Sequence, residues 1–130
     1  MKLDVKMSGP KGLGVYAEEG ISACTVISAI KYVREVTTEN PLSDGEQHLQ
    51  NHLHYWPDGR TFIVDAPECY LNHSCDPNAF IYSAGGEFFV IAKKDLQFGE
   101  EITIDYEIQT TGFEVSWECK VTTNCIHAMQ

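Results

Sequence analysis

The nine residues from Tyr70 to Asn78, YLNHSCDPN, decide how the rest of this chain is read. Asn72, His73 and Ser74 place hydrogen-bonding groups at successive positions, and Asp76-Pro77-Asn78 is a turn former that stops any strand or helix begun upstream. Alone, the stretch reads about equally well as a surface turn whose Asn and Asp side chains satisfy their own backbone. Two further stretches shift that balance. Gly99 to Tyr106, GEEITIDY, is a turn glycine and two acids followed by an alternating strand with Ile102, Ile104 and Tyr106 on one face. Lys11-Gly12-Leu13-Gly14-Val15-Tyr16-Ala17 carries a glycine pair where backbone can approach a ligand closely. It is not the dinucleotide fingerprint, because GxGxxG is incomplete and no strand-helix unit follows.

In this order along the chain, GLGVYA, NHSCDPN and GEEITIDY resemble the SET-domain family of protein-lysine methyltransferases, over roughly residues 9 to 106. The resemblance implies methyl transfer from S-adenosylmethionine to a lysine side chain. It implies a mainly β, SET-domain (β-clip-like) fold of several small sheets with one short helix. A C-terminal pseudoknot is part of that fold, in which the NHSC segment and the last strand cross. The core would occupy residues 1–110, with a tail at 111–130. By the same resemblance Tyr106 is the catalytic tyrosine and Asn72 and His73 form the dipeptide that holds the cofactor. Lys11, Gly12, Leu13 and Gly14 match the loop around the cofactor's methionine part. Trp117 is the candidate to stack on the adenine, the competing reading being a tail tryptophan that covers apolar surface. Ile104, two residues before Tyr106, is expected to line the lysine channel.

The departures from the family pattern matter too. Where many members carry a Glu-Tyr pair this chain has Ala29-Ile30, with Tyr32 two residues on and expected on the same strand face as a channel residue. Cys69 lies where an Arg is frequent. The tail segment WECKVTTNC resembles a worn zinc-binding segment: Cys75, Cys119 and Cys125 give three ligands where a structural zinc wants four, with His127 as an available fourth. These departures feed a rival reading, a catalytically silent SET-like module that binds peptides. Tyr106, Asn72, His73 and the loop glycines count against it.

The chemistry sets its own demands. A lysine amine has an ordinary pKa near 10.4, so at neutral pH fewer than roughly one in a thousand carries the free lone pair that attacks a methyl group. A cationic sulfonium beside it and an apolar channel both lower that pKa, and the remaining work is collinear alignment of nucleophile, methyl and leaving sulfur.

A chain of 130 residues with 43% hydrophobic content has room for one domain with a modest core. The net charge of −10 argues against a nucleic-acid-binding face and would attract a basic protein or peptide partner, the competing reading being an acidic surface that simply keeps the protein soluble. The first ten residues lack the apolar run of a secretory signal and no window approaches a membrane span, so the expectation is an intracellular protein with no membrane partner. Five irregularly spaced cysteines make no disulfide framework and favour thiols or metal ligation over bridges.

Strands are expected around Leu3 to Met7, over Leu13 to Ala17, and as one or two strands between Cys24 and Val36. Ser43 and Glu46 form a capping box that starts a short helix through about Leu53. That helix carries His48 and His52 at i, i+4 spacing, expected on a solvated face. Asp58-Gly59 predicts a hairpin between 53–56 and 60–64, and Ser83 to Gly86 another between Ala79–Tyr82 and Glu87–Ala92.

Overall fold

The computed structural model describes residues 2–56 and 58–105. Their architecture is mainly β, in three small sheets. The strands are β1 (Leu3–Met7), β2 (Leu13–Ala17), β3 (Val26–Ala29), β4 (Tyr32–Val36) and β5 (Leu53–Tyr55), then β6 (Thr61–Val64), β7 (Asn72–His73), β8 (Ala79–Ala84), β9 (Glu87–Ala92) and β10 (Glu101–Ile104). One sheet has the order β1-β2-β10-β7, the second β3-β9-β8 and the third β4-β6-β5.

The hairpins stand where turn chemistry puts them. β1 and β2 pair antiparallel with Lys6 opposite Gly14. Between them a 3-10 turn over Gly9–Lys11 ends at Gly12, whose φ of 84° and ψ of −134° suit only glycine. β8 and β9 pair over their full length from Ala79↔Ala92 to Ala84↔Glu87, as alternation and the glycine turn require. β5 and β6 pair beyond the Asp58-Gly59 turn, where the Asp58 carboxylate accepts the Arg60 N–H at 3.0 Å.

The β-branched run breaks after Ala29, so Ile30 and Tyr32 do not share a strand. Ile30 is buried in the core and donates its N–H to Phe88 O at 2.8 Å, while Tyr32 opens β4. The expected helix lies at Asp44–His52 with its capping box formed, but it coils as a 3-10 helix. DGEQHLQNH holds one apolar residue, Leu49, and so has no apolar stripe to hold regular α-helical turns against the sheet. It is anchored instead by Arg34 of β4, whose Nε and Nη2 reach the two Glu46 oxygens at 3.1 and 2.7 Å. The same guanidinium donates to the carbonyls of Glu35, Asn40 and Pro41, which fixes the loop before the helix. The Glu46 carboxyl is held at about 2, mainly by Arg34 and then by the Ser43 N–H.

The main core gathers Val15, Ile102 and Ile104 from the first sheet, Ile27, Phe88 and Val90 from the second and Leu71 from the chain before β7, with Tyr32 and Val64 of the third sheet packed against it. Alternation in β10 turns Ile102 and Ile104 inward, where both are buried. β10 is the centre of the first sheet: it runs antiparallel to β2 with Ile102 opposite Val15, and parallel to β7 with Thr103 opposite Asn72 and Ile104 opposite His73. A parallel pair requires a long crossover, and the chain between β7 and β10 supplies it with the β8–β9 hairpin. No helix among the described residues is long and apolar enough to cross a membrane.

Candidate active site

Three stretches far apart in sequence meet on the first sheet. β2 brings the glycine loop, β7 brings Asn72 and His73, and β10 lies between them. The Ser74 N–H donates to Ile104 O at 3.0 Å, continuing the parallel pairing past His73. The two dipeptide side chains differ in their surroundings. Asn72 Nδ2 donates to Leu13 O at 3.0 Å and to Glu101 Oε2 at 2.8 Å. His73 Nδ1 lies 3.8 Å from Asp105 Oδ1, and its Nε2 lies 3.5 Å from Cys75 Sγ.

Gly14 is needed here for closeness. A Cβ on it would stand 2.5 Å from Glu101 Oε2 and 3.0 Å from Asn72 Nδ2, against charged and amide groups that are themselves bonded. Gly12 has open space around the corresponding position. Lys11 ends the 3-10 turn just before it, and Leu13 opens β2. The six cofactor-binding candidates among the described residues, Lys11, Gly12, Leu13, Gly14, Asn72 and His73, thus lie on two segments that β10 holds side by side.

Tyr32 sits in a different environment, an aromatic cluster. Its ring meets Trp56 at 5.6 Å, Phe62 at 5.3 Å and Phe88 at 6.5 Å, and its hydroxyl bonds His54 Nδ1 at 2.7 Å. Burial pushes the phenol well above its ordinary value, so it stays neutral. The same burial pushes His54 down to about 4 and keeps it uncharged. His54 Nε2 and Trp56 Nε1 are buried without a full hydrogen bond. Arg60 covers the Trp56 ring with its guanidinium 4.6 Å from the centroid. Ile104, the other channel candidate, is 3% exposed within the core cluster.

The remaining candidates divide simply. Tyr106, Trp117, Cys119, Cys125 and His127 lie outside the described residues. Cys75 is an exposed free thiol, and the described residues hold no group of three or more His, Cys, Asp or Glu that could bind a metal. Cys69 is a free thiol pushed up to about 11, first by burial and then by Asp65 and Glu68, which leaves it unreactive. Cys24 is disulfide-bonded, so the expectation of thiols or metal ligation over bridges fails at that position. His48 is exposed, as expected, while His52 is half-buried: it packs edge-on against Tyr70 at 5.4 Å, and burial lowers its pKa.

Sequence reasoning missed Glu101, Asn78, Ser8 and His54. The sequence offers Asn78 only as the end of a turn, yet it is buried and bonds β10 through both ends of its amide. The available signal was alternation, which places Glu101 opposite the inward face of Ile102 and Ile104.

The fold matches what comparison finds. A model of the SET domain matches residues 12–107. A Candida albicans histone-lysine N-methyltransferase, H3 lysine-36 specific, is 31% identical over 98% of this chain and 16% of its own length. The histone-lysine N-methyltransferase set1 of Dictyostelium discoideum is 30% identical over 82% of this chain and 8% of its own. The crystal structure of a Plasmodium falciparum protein assigned as a histone methyltransferase superposes with a TM-score of 0.63 at 26% identity, covering 81% of this chain and 92% of that one. This chain belongs to the SET domain family. It spans less than a fifth of the length of the two curated relatives.

Proposed function

We propose that this chain is a catalytic SET domain that transfers methyl groups from S-adenosylmethionine to a lysine of a basic protein, with a histone as the first candidate. The observation that carries the reading is the convergence of the Gly12–Gly14 loop, Asn72-His73 and the strand leading to Tyr106 on one sheet. The residues fit such a cofactor: open space beside Gly12, and an Asn72 amide whose oxygen is not committed within the described residues. Lys11, Gly12, Leu13, Gly14, Asn72 and His73 would hold it, with Trp117 on the adenine. The cofactor supplies an electrophilic methyl on a sulfonium.

This chain's residues do the remaining work. The substrate amine must lose a proton and point along one line, so the channel must exclude water and present no competing charge. Tyr32, held neutral among Trp56, Phe62 and Phe88, offers an apolar wall without an anion that would favour the ammonium form. Tyr106 is proposed to orient the amine through its hydroxyl. The acidic chain, at −10, draws a basic substrate towards it. The names of the relatives support a histone lysine as target. The domain is proposed to end near residue 110. No zinc role is assigned to Cys75, Cys119 and Cys125; metal analysis of protein purified without chelator tests that segment.

The test is a pair of measurements on Tyr106→Phe. Radiolabelled transfer to histones should fall by at least about tenfold while cofactor affinity in a calorimetric titration stays within about threefold. Equal loss of both would remove Tyr106 from the transfer step. Cofactor binding with no transfer by the parent would favour the silent peptide-binding module.

A further inference from the structure

Asn72 Nδ2 faces two groups that can only accept, the Leu13 carbonyl at 3.0 Å and the Glu101 carboxylate at 2.8 Å. Turning the amide over would set its oxygen against both, so the network alone fixes the assignment. Both amide hydrogens are thereby spent inside the protein. The oxygen is left to accept a hydrogen bond from an N–H of a ligand.

The other Glu101 oxygen accepts the Ser8 hydroxyl at 2.9 Å, and Ser8 is in turn tied by its N–H to Gly12 O. Gly14 allows Glu101 to lie against the loop, as a Cβ there would be 2.5 Å from Oε2. One carboxylate therefore bonds the start of the glycine loop and the Asn72 amide while lying close against Gly14. Glu100 has other partners: its side chain accepts the Gln97 N–H at 3.1 Å and Asn78 Nδ2 at 3.2 Å.

We infer that Glu101 is the positioning residue of the cofactor site, setting Asn72 as an acceptor and locking the glycine loop to it. The inference rests on the reading of Asn72 and the loop as cofactor-binding. Glu101 acts through Asn72 and transfers nothing itself. A glutamine can replace it, because its oxygen accepts from Asn72 while its amide donates to a reversed Ser8 hydroxyl. An alanine cannot.

The experiment is calorimetric titration of the full chain with S-adenosylmethionine, with thermal melts alongside, for the parent, Glu101→Ala, Glu101→Gln, Asn72→Ala and the double alanine variant. Glu101→Ala is expected to weaken affinity about tenfold and Glu101→Gln by less than about threefold. The double variant should bind more tightly than the product of the two single losses, since both remove the shared Asn72–Glu101 bond. Losses that multiply, or a Glu101→Ala that melts earlier but binds as the parent does, overturn the inference. If Glu101→Ala does not fold, Asn72→Asp supplies the test. It sets two carboxylates together and should bind about tenfold more weakly, and adding Glu101→Gln should recover most of that loss. No recovery overturns the inference. A parent that fails to bind refutes the underlying reading, which is visible without any substitution.

Discussion

Asn78 acts as a side-chain stand-in for a strand neighbour of Thr103. Its Oδ1 accepts the Thr103 N–H at 2.8 Å, and its own N–H donates to Thr103 Oγ1 at 3.4 Å. Its Nδ2 donates to Glu101 O at 2.7 Å. Twenty-five residues separate the pair in sequence, so this buried amide fastens the turn after Cys75 to β10.

Asn78→Ala would strand the Thr103 N–H and the Glu101 carbonyl away from their partner. A loss of about 2–3 kcal/mol is expected, as for other buried polar groups left unpaired. Urea unfolding at neutral pH measures it. A change below about 0.5 kcal/mol would show that water replaces the amide there.

Stability should fall as the solution is acidified from pH 6.5 to 4, and His54 is the main reason. Its folded pKa of about 4 lies below the ordinary 6.5, so across that window the unfolded chain binds a proton that the folded chain does not. The whole shift corresponds to about 3 kcal/mol once the pH is below 4. His52, also lowered by burial, adds in the same direction. Glu46 acts lower down: its stabilising bond to Arg34 is present above its ordinary value of 4.5 and is lost as the pH falls towards about 2. His54→Gln keeps a hydrogen-bonding partner for Tyr32 and should flatten the curve between pH 6.5 and 5. Denaturant midpoints at several pH values decide this, and an unchanged slope in the variant would remove His54 from the account.

Much of this was legible in the sequence because it is local. The glycine turns, the alternation in β8 and β9 and the Ser43–Glu46 capping box each depend on residues within a few positions, and each stands where it was expected. The resemblance of YLNHSCDPN and GEEITIDY to the SET family brought Asn72 and β10 to one site, and the parallel pairing of Thr103 with Asn72 agrees with it. Long-range polar contacts were not legible. Glu101 reaching Ser8 across 93 residues, and Asn72 reaching Leu13 across 59, leave no mark on periodicity or composition. The break at Ile30 was missed for a similar reason: it is set by a bond to Phe88 on another strand.

The number of methyl groups added should exceed one. Ile104, proposed to line the lysine channel, carries no hydroxyl to hold the methylated amine or a water in a fixed pose. The amine can then rotate to present its lone pair again, provided the channel has space for the methyl already present. Dimethyl- and trimethyl-lysine are expected to accumulate at cofactor excess, read by mass spectrometry of the product peptide. Monomethyl-lysine as the sole product at long times would contradict this role for Ile104.

The central claim is transfer to lysine, and one measurement tests it most directly. Purified chain is incubated with S-adenosylmethionine labelled in the methyl group and with core histones, and the labelled residues are located by mass spectrometry. The account predicts label on lysine side chains, dependent on the intact chain and abolished by Asn72→Ala together with Tyr106→Phe. Label confined to other residue types, or none above the enzyme-free control at millimolar cofactor, would contradict it.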